Sequence, residues 1–121
     1  MAKTFKALSA LLSYPTPELQ AAIGELRAVL SEEGLAPASG DLAALASEIE
    51  NGDILDLEEG YVGLFDRSRA VSLNLFEHVH GESRDRGQAM VDLKSLYEKG
   101  GLRIASGELP DYLPLFLEFL S

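Results

Sequence analysis

Apolar residues in this chain recur at helical intervals, and proline, glycine or a polar cluster repeatedly cuts the pattern short. Phe5, Leu8, Leu11 and Leu12 share one face of a helix predicted over residues 4–13. Ser13-Tyr14-Pro15 ends it, because the residue before a proline avoids the helical region. Thr16-Pro17-Glu18 then reads as a helix start: Thr16 as N-cap, Pro17 in the first turn, Glu18 against the positive helix end. Leu19, Ile23, Leu26, Val29 and Leu30 form that second helix's apolar stripe, and Gly34 is the expected stop. Residues 35–40, with Pro37, Ser39 and Gly40, read as a loop.

The same pattern continues. Asp41 is placed to cap a third helix carrying Leu42, Leu45, Ala46 and Ile49, which ends near Asn51-Gly52. Asp53 is placed to cap a fourth, with Ile54, Leu57, Tyr61, Leu64 and Phe65 on one side. Gly60 and Gly63 fall inside it, each disfavoured by roughly 1 kcal/mol relative to alanine. Such glycines predict the close approach of another helix. Asp66-Arg67-Ser68-Arg69 is a polar break, and residues 71–79 read as a short fifth helix. A sixth, with Met90, Leu93, Leu96 and Tyr97, runs to about Lys99 and stops at Gly100-Gly101. The final run, Leu115-Phe116-Leu117-Glu118-Phe119-Leu120, is apolar nearly all round and is expected to be covered on more than one side. Period-two alternation is not sustained anywhere, and no heptad persists. The expected fold is all-α, an irregular helical bundle in a single domain over residues 1–121.

Between the fifth and sixth helices lies Glu77-His78-Val79-His80-Gly81-Glu82-Ser83-Arg84-Asp85-Arg86, a polar corner that Gly81 allows to turn tightly. Arg84 and Arg86 then sit at a helix N-terminus, where positive charge is disfavoured by about 0.3–1 kcal/mol. Carboxylates such as Glu77 or Asp66 are expected to compensate by tying the arginines to the helix start.

Composition narrows the function. Twenty acidic residues against ten basic ones give a net charge of −10. That repels nucleic-acid phosphates and anionic membrane surfaces and suits a cationic partner. With no cysteine, disulfides, thiolate metal sites and cysteine nucleophiles are excluded. No apolar run approaches the ~20 residues of a membrane span, and the N-terminus does not resemble a signal peptide. His78 and His80 are separated by i, i+2, which does not share a helix face. Their spacing matches no common metal motif, and histidines that cap or hydrogen-bond are the simpler reading. There is no nucleophile elbow, phosphate loop or dinucleotide fingerprint. A metal-dependent enzyme using the His78/His80 corner and a helical oligomerisation module remain the alternatives to a binding protein. Asp53, Asp56, Glu58, Glu59, Asp66, Glu77, Glu82 and Asp85 make the middle of the chain an acidic surface suited to an arginine-bearing peptide.

Three blocks, in order, resemble the NarJ-type chaperones of nitrate reductase assembly, within the wider TorD and DmsD group. They are Tyr61-Val62-Gly63-Leu64-Phe65-Asp66-Arg67, the stretch from Leu75 to Met90, and Glu108-Leu109-Pro110-Asp111-Tyr112-Leu113-Pro114 with the helix after it. Leu12-Ser13-Tyr14-Pro15 fits as well. The resemblance implies an all-helical, cytoplasmic, non-enzymatic chaperone. It would bind the basic, twin-arginine-like N-terminal peptide of the nitrate reductase catalytic subunit while the molybdenum cofactor is inserted, before membrane attachment. No cofactor is expected on the chaperone itself, since the client carries it. Asp66, Glu77, His78, His80, Glu82, Arg84, Asp85 and Arg86 are the expected peptide-binding residues, some of them serving the corner's own structure. Relatives continue with further helices past residue 120, so the family's C-terminal helices are expected to be missing here, and the last helix is expected to favour self-association.

Overall fold

The computed structural model describes residues 2–32, 40–67, 69–80, 84–104 and 107–121, and the side chain of Arg69 is not among what it describes. Among the described residues there are seven α-helices: α1 (Ala2–Leu11), α2 (Pro17–Glu32), α3 (Gly40–Asn51), α4 (Ile54–Tyr61), α5 (Leu75–Val79), α6 (Asp85–Lys99) and α7 (Leu113–Leu120). A π-turn, Val62–Asp66, continues directly from α4, and a 3₁₀ turn, Arg69–Val71, precedes α5. The all-α bundle expected from the periodicity is what forms. Among the described residues, the extended pairing is confined to one antiparallel bridge, Asn74 to Tyr112.

The main core lies between α1, α2 and α3. Ala7, Leu11, Leu19, Ile23, Leu30, Ala46 and Ile49 are buried there, with Leu26, Val29, Leu42 and Leu45 packed around them. Each leucine or isoleucine side chain fully buried in such a core contributes about 1.5–3 kcal/mol. Thr16 caps α2 as expected, its Oγ1 accepting from Leu19 N at 3.0 Å. Gln20 fastens α2 to the end of α3 by donating to the Ile49 and Gly52 carbonyls at 3.0 and 2.8 Å. These carbonyls lie at a helix C-terminus and have no intrahelical partner of their own.

α7 packs along α1, which covers one side of the apolar run. On another side Phe119 meets the ring of Tyr97 at 5.0 Å. Leu115, Phe116, Leu117 and Phe119 are half-buried, while Leu120 stays 42% exposed. α6 buries only Tyr97, whose hydroxyl donates to the Pro110 carbonyl at 2.6 Å. Its C-terminus closes as the double glycine predicts. Leu102 N donates to Tyr97 O at 2.9 Å and Gly101 N to Glu98 O at 3.1 Å. This is the Schellman arrangement, with Gly101 at φ +86°.

Several local expectations are corrected. The first helix is shifted by two residues, to Ala2–Leu11. Asp41 lies in the first turn of α3 rather than before it, because the helix already includes Gly40. The fourth helix is not continuous: it changes to the π-turn after Tyr61. Gly60 and Gly63 admit no close neighbour, since an added Cβ at either would meet nothing within 4 Å. The fifth helix begins at Leu75, because Arg69–Val71 forms a separate 3₁₀ turn and Asn74 is extended and pairs with Tyr112. Gly34, Pro37, Ser39, Ser68, Gly81, Glu82 and Ser83, to which the sequence assigned a stop, loop positions, part of the polar break, a turn and part of the corner, lie outside the described residues.

Candidate functional site

A groove of about 360 Å³ opens where the end of α1, the end of α3 and the α4–π-turn segment meet. Leu11, Leu12, Leu45, Ile49 and Leu57 supply apolar floor, and Tyr61, Leu64 and Phe65 form one wall. Glu48, Asp53 and Asp56 stand along it. Asp53 is partly occupied: its Oδ2 caps α4, accepting from Leu55 N at 3.1 Å and Asp56 N at 3.2 Å. Glu48 and Asp56 are exposed and have no side-chain partner among the described residues. Apolar surface beside uncompensated carboxylates favours a ligand that is itself amphipathic and cationic. Leu64 adds to that surface, 53% exposed on the π-turn.

The wall is held through hydroxyls. Tyr61 donates to the Leu12 carbonyl at 2.8 Å, and the Tyr112 hydroxyl lies 2.6 Å from it. A phenol has one proton, and a carbonyl only accepts. Tyr61 therefore donates to Leu12, and Tyr112 donates to Tyr61. The Tyr61 ring packs edge-on against Tyr14 at 5.6 Å and tilted against Phe65 at 4.8 Å. Burial pushes the Tyr61 and Tyr112 phenols above the ordinary tyrosine range. Tyr14 is bound outside the groove, donating to Glu58 Oε2 at 2.7 Å.

The polar corner is a separate neighbourhood. Arg86 pairs with Glu77 at 3.2 Å, which is the tie to the helix start expected from the sequence. Arg84 occupies the N-cap position of α6 and makes no side-chain cap bond, and Asp85 lies in the first turn. His78 Nε2 sits 2.8 Å from the Ser72 carbonyl, a bond in which the ring nitrogen must be the donor. His80 stacks edge-on against Phe76 at 5.1 Å. Asp66 is exposed at the end of the π-turn, next in sequence to the groove's Phe65. Among the described residues, no group of three or more histidines, aspartates and glutamates is arranged to hold a metal ion.

One residue that sequence reasoning left without a role organises this region. Asp111 is fully buried. Its Oδ1 accepts from Asn74 Nδ2 at 3.0 Å and its Oδ2 from Phe76 N at 2.9 Å, while its carbonyl accepts from Leu75 N at 3.0 Å. Leu113 N completes the bridge by donating to Leu73 O at 2.7 Å. Asn74 makes no cap bond to its own helix, so Asp111 caps α5 from across the chain. No local signal announces this. An aspartate before a helix reads as that helix's own cap, and only the pairing of two distant segments reveals otherwise.

A groove of this kind defines a binding module. Its fold is shared with a solved protein from Archaeoglobus fulgidus described as a redox enzyme maturation protein, at a TM-score of 0.70 and 27% identity over 99% of this chain and 69% of that one. Residues 15–121 match the nitrate reductase delta subunit family, and the chain belongs to that family. It is 48% identical, over 94% of its length, to the nitrate reductase molybdenum cofactor assembly chaperone NarJ of Escherichia coli K12, of which it covers 49%. It is 31% identical, over 95% of its length, to the nitrate reductase-like protein NarX of Mycobacterium tuberculosis H37Rv, of which it covers 17%. The chain thus spans about half the length of the E. coli relative. That relative is named as an assembly chaperone, which is the class the resemblance implied. Among the described residues, no helix is long and apolar enough to cross a membrane.

Proposed function

We propose that this chain acts as a non-enzymatic assembly chaperone for a nitrate reductase. It holds the basic N-terminal segment of the catalytic subunit in the cytoplasm while the molybdenum cofactor is inserted, before membrane attachment, and carries no cofactor of its own. The peptide lies in the groove between α1, α3 and α4, its apolar side chains on Leu12, Leu45, Ile49 and Leu57 and its basic ones toward Glu48 and Asp56. The observation that carries this reading is the pairing of an open apolar floor with two carboxylates that no described side chain neutralises. The net charge of −10 adds long-range attraction for such a peptide.

Within this reading Asp66 extends the acidic rim, being next to Phe65. The corner with Glu77, His78, His80, Glu82, Arg84, Asp85 and Arg86 is a second contact region for the client, built on the Glu77–Arg86 pair.

Titration calorimetry with a synthetic peptide of the client's first ~20 residues tests the proposal; helical, these span about 30 Å. Saturable binding is expected. Glu48→Gln with Asp56→Asn weakens it about tenfold, at roughly 0.5–1 kcal/mol for each exposed charge pair lost. Absence of heat with the unmodified chain, or an unchanged affinity in the double variant, contradicts the groove assignment.

A further inference from the structure

The groove's outer wall has little packing to hold it. α4 and the π-turn contain no fully buried residue. An added Cβ at Gly60 or Gly63 would meet open space, so no neighbouring element presses on this segment there. Leu55 is 71% exposed and Leu64 53%. The short wall that carries Leu64 and Phe65 is nevertheless in a defined place: Tyr14 holds Glu58 on the outer side of α4, and at the junction with the π-turn the contacts to the rest of the bundle converge on one side chain. Tyr61 is the last residue of α4, at the junction with the π-turn. Its ring fits between Tyr14 and Phe65, and its hydroxyl reaches the Leu12 carbonyl at 2.8 Å and the Tyr112 hydroxyl at 2.6 Å.

Those two hydroxyl bonds lead to different parts of the bundle. Leu12 follows α1 and also contributes to the groove floor. Tyr112 precedes α7 and lies on the bridge to Asn74. A π-turn inside a helix marks a place where backbone geometry has been altered, often at a functional site. Here it follows directly on the anchored tyrosine.

We infer that Tyr61 is a positioning residue of the groove: its hydroxyl, ordered by Tyr112, fixes the distance between the π-turn wall and the α1 floor and so sets which peptides fit. The inference rests on the groove being the peptide site. Tyr112 does not line the groove, and among the described residues its hydroxyl bonds to Tyr61 alone, so removing that hydroxyl acts on binding through Tyr61. That makes it the informative control.

The experiment measures peptide affinity by calorimetry for the full chain, Tyr61→Phe, Tyr112→Phe and the double variant, each checked as folded by circular dichroism. Amide hydrogen exchange in residues 62–66 of the free protein is read alongside. Tyr61→Phe keeps the ring and loses the anchor, and it weakens binding about tenfold, the effect of one to two net hydrogen bonds. Tyr112→Phe weakens it about threefold, because Tyr61 keeps its bond to Leu12. The double variant matches Tyr61→Phe alone, since the two act in series. Exchange in residues 62–66 accelerates in the free variants, while exchange at Ile23 and Ala46 in the core does not change. Wild-type affinity and wild-type exchange in folded Tyr61→Phe overturn the inference, as do additive losses in the double variant. Should Tyr61→Phe not fold, Tyr112→Phe decides alone, and unchanged binding there is equally fatal. A wild-type chain that fails to bind the peptide refutes the chaperone reading instead, so the two failures are told apart.

Discussion

Replacing Asp111 by alanine removes the acceptor that two segments of the chain share. Phe76 N, at 2.9 Å, and Asn74 Nδ2, at 3.0 Å, both lose their partner; Asp111 is fully buried and the two donor residues are half-buried. A hydrogen bond to a charged group contributes about 1.5–3 kcal/mol net, and an orphaned buried donor carries a penalty of about 1–3 kcal/mol. The combined loss is about 4 kcal/mol, a large part of the ~5–15 kcal/mol typical of a domain. At this chain length it lowers the melting temperature by roughly 15 °C. Asp111→Asn is milder, at about 1–2 kcal/mol. Its one carbonyl can keep Phe76 N, and Asn74 can rotate its amide to present oxygen to the new NH₂. Asn74→Ala removes one of the two bonds and costs about 1 kcal/mol. Urea denaturation followed by circular dichroism at 222 nm measures all three. A loss below about 1 kcal/mol for Asp111→Ala, or equal losses for alanine and asparagine, refutes the cross-chain cap.

Three further outcomes follow from single features. Among the described residues Thr4 Oγ1 is buried and has no hydrogen-bond partner, so Thr4→Val is expected to stabilise the chain by about 1 kcal/mol, measurable as a rise in urea midpoint. Gly101→Ala forces an L-residue to φ +86° and is expected to destabilise by about 1–2 kcal/mol in the same assay. The Tyr97 phenol is pushed up to about 12, first by burial and then by Asp111, from an ordinary value of 10.0. A raised folded-state value means that the neutral form is favoured on folding. Its stabilisation is complete below pH 10 and is lost as pH rises toward 12. Alkaline unfolding should therefore steepen in that window, and should do so less in Tyr97→Phe, as a pH series of melting temperatures would reveal.

Much of the helical plan is legible in the sequence. Thr16 and Asp53 carry cap chemistry that depends on immediate neighbours, and Gly100-Gly101 announces a stop that needs only backbone freedom. The π-turn was not readable. Tyr61, Leu64 and Phe65 keep a helical spacing through it, so the extra backbone width leaves no mark on the apolar pattern. Gly60 and Gly63 misled for a related reason: a missing Cβ permits close packing but does not require a neighbour. The candidate site divides in the same way. Asp53, Asp56 and Asp66 belong to an acidic surface that composition alone suggested. Glu48 and Leu45 join them only because α3 ends beside α4, and Asp111 matters only because residues 72–76 meet residues 110–113. Glu77 is one of the carboxylates, with Asp66, expected to tie Arg84 and Arg86 to the helix start, and it pairs with Arg86, because a helix N-terminus demands a counterweight to positive charge. Such a demand can be seen from one dimension, whereas the groove needs three segments in space.

Chemical-shift mapping of the isotope-labelled chain with the unlabelled client peptide tests the groove most directly. The account predicts that the largest changes fall on Leu12, Leu45, Ile49, Leu57, Tyr61 and Leu64, with smaller ones near Asp66. Changes concentrated on Glu77, His78, His80 and Arg86 with the groove silent would contradict it.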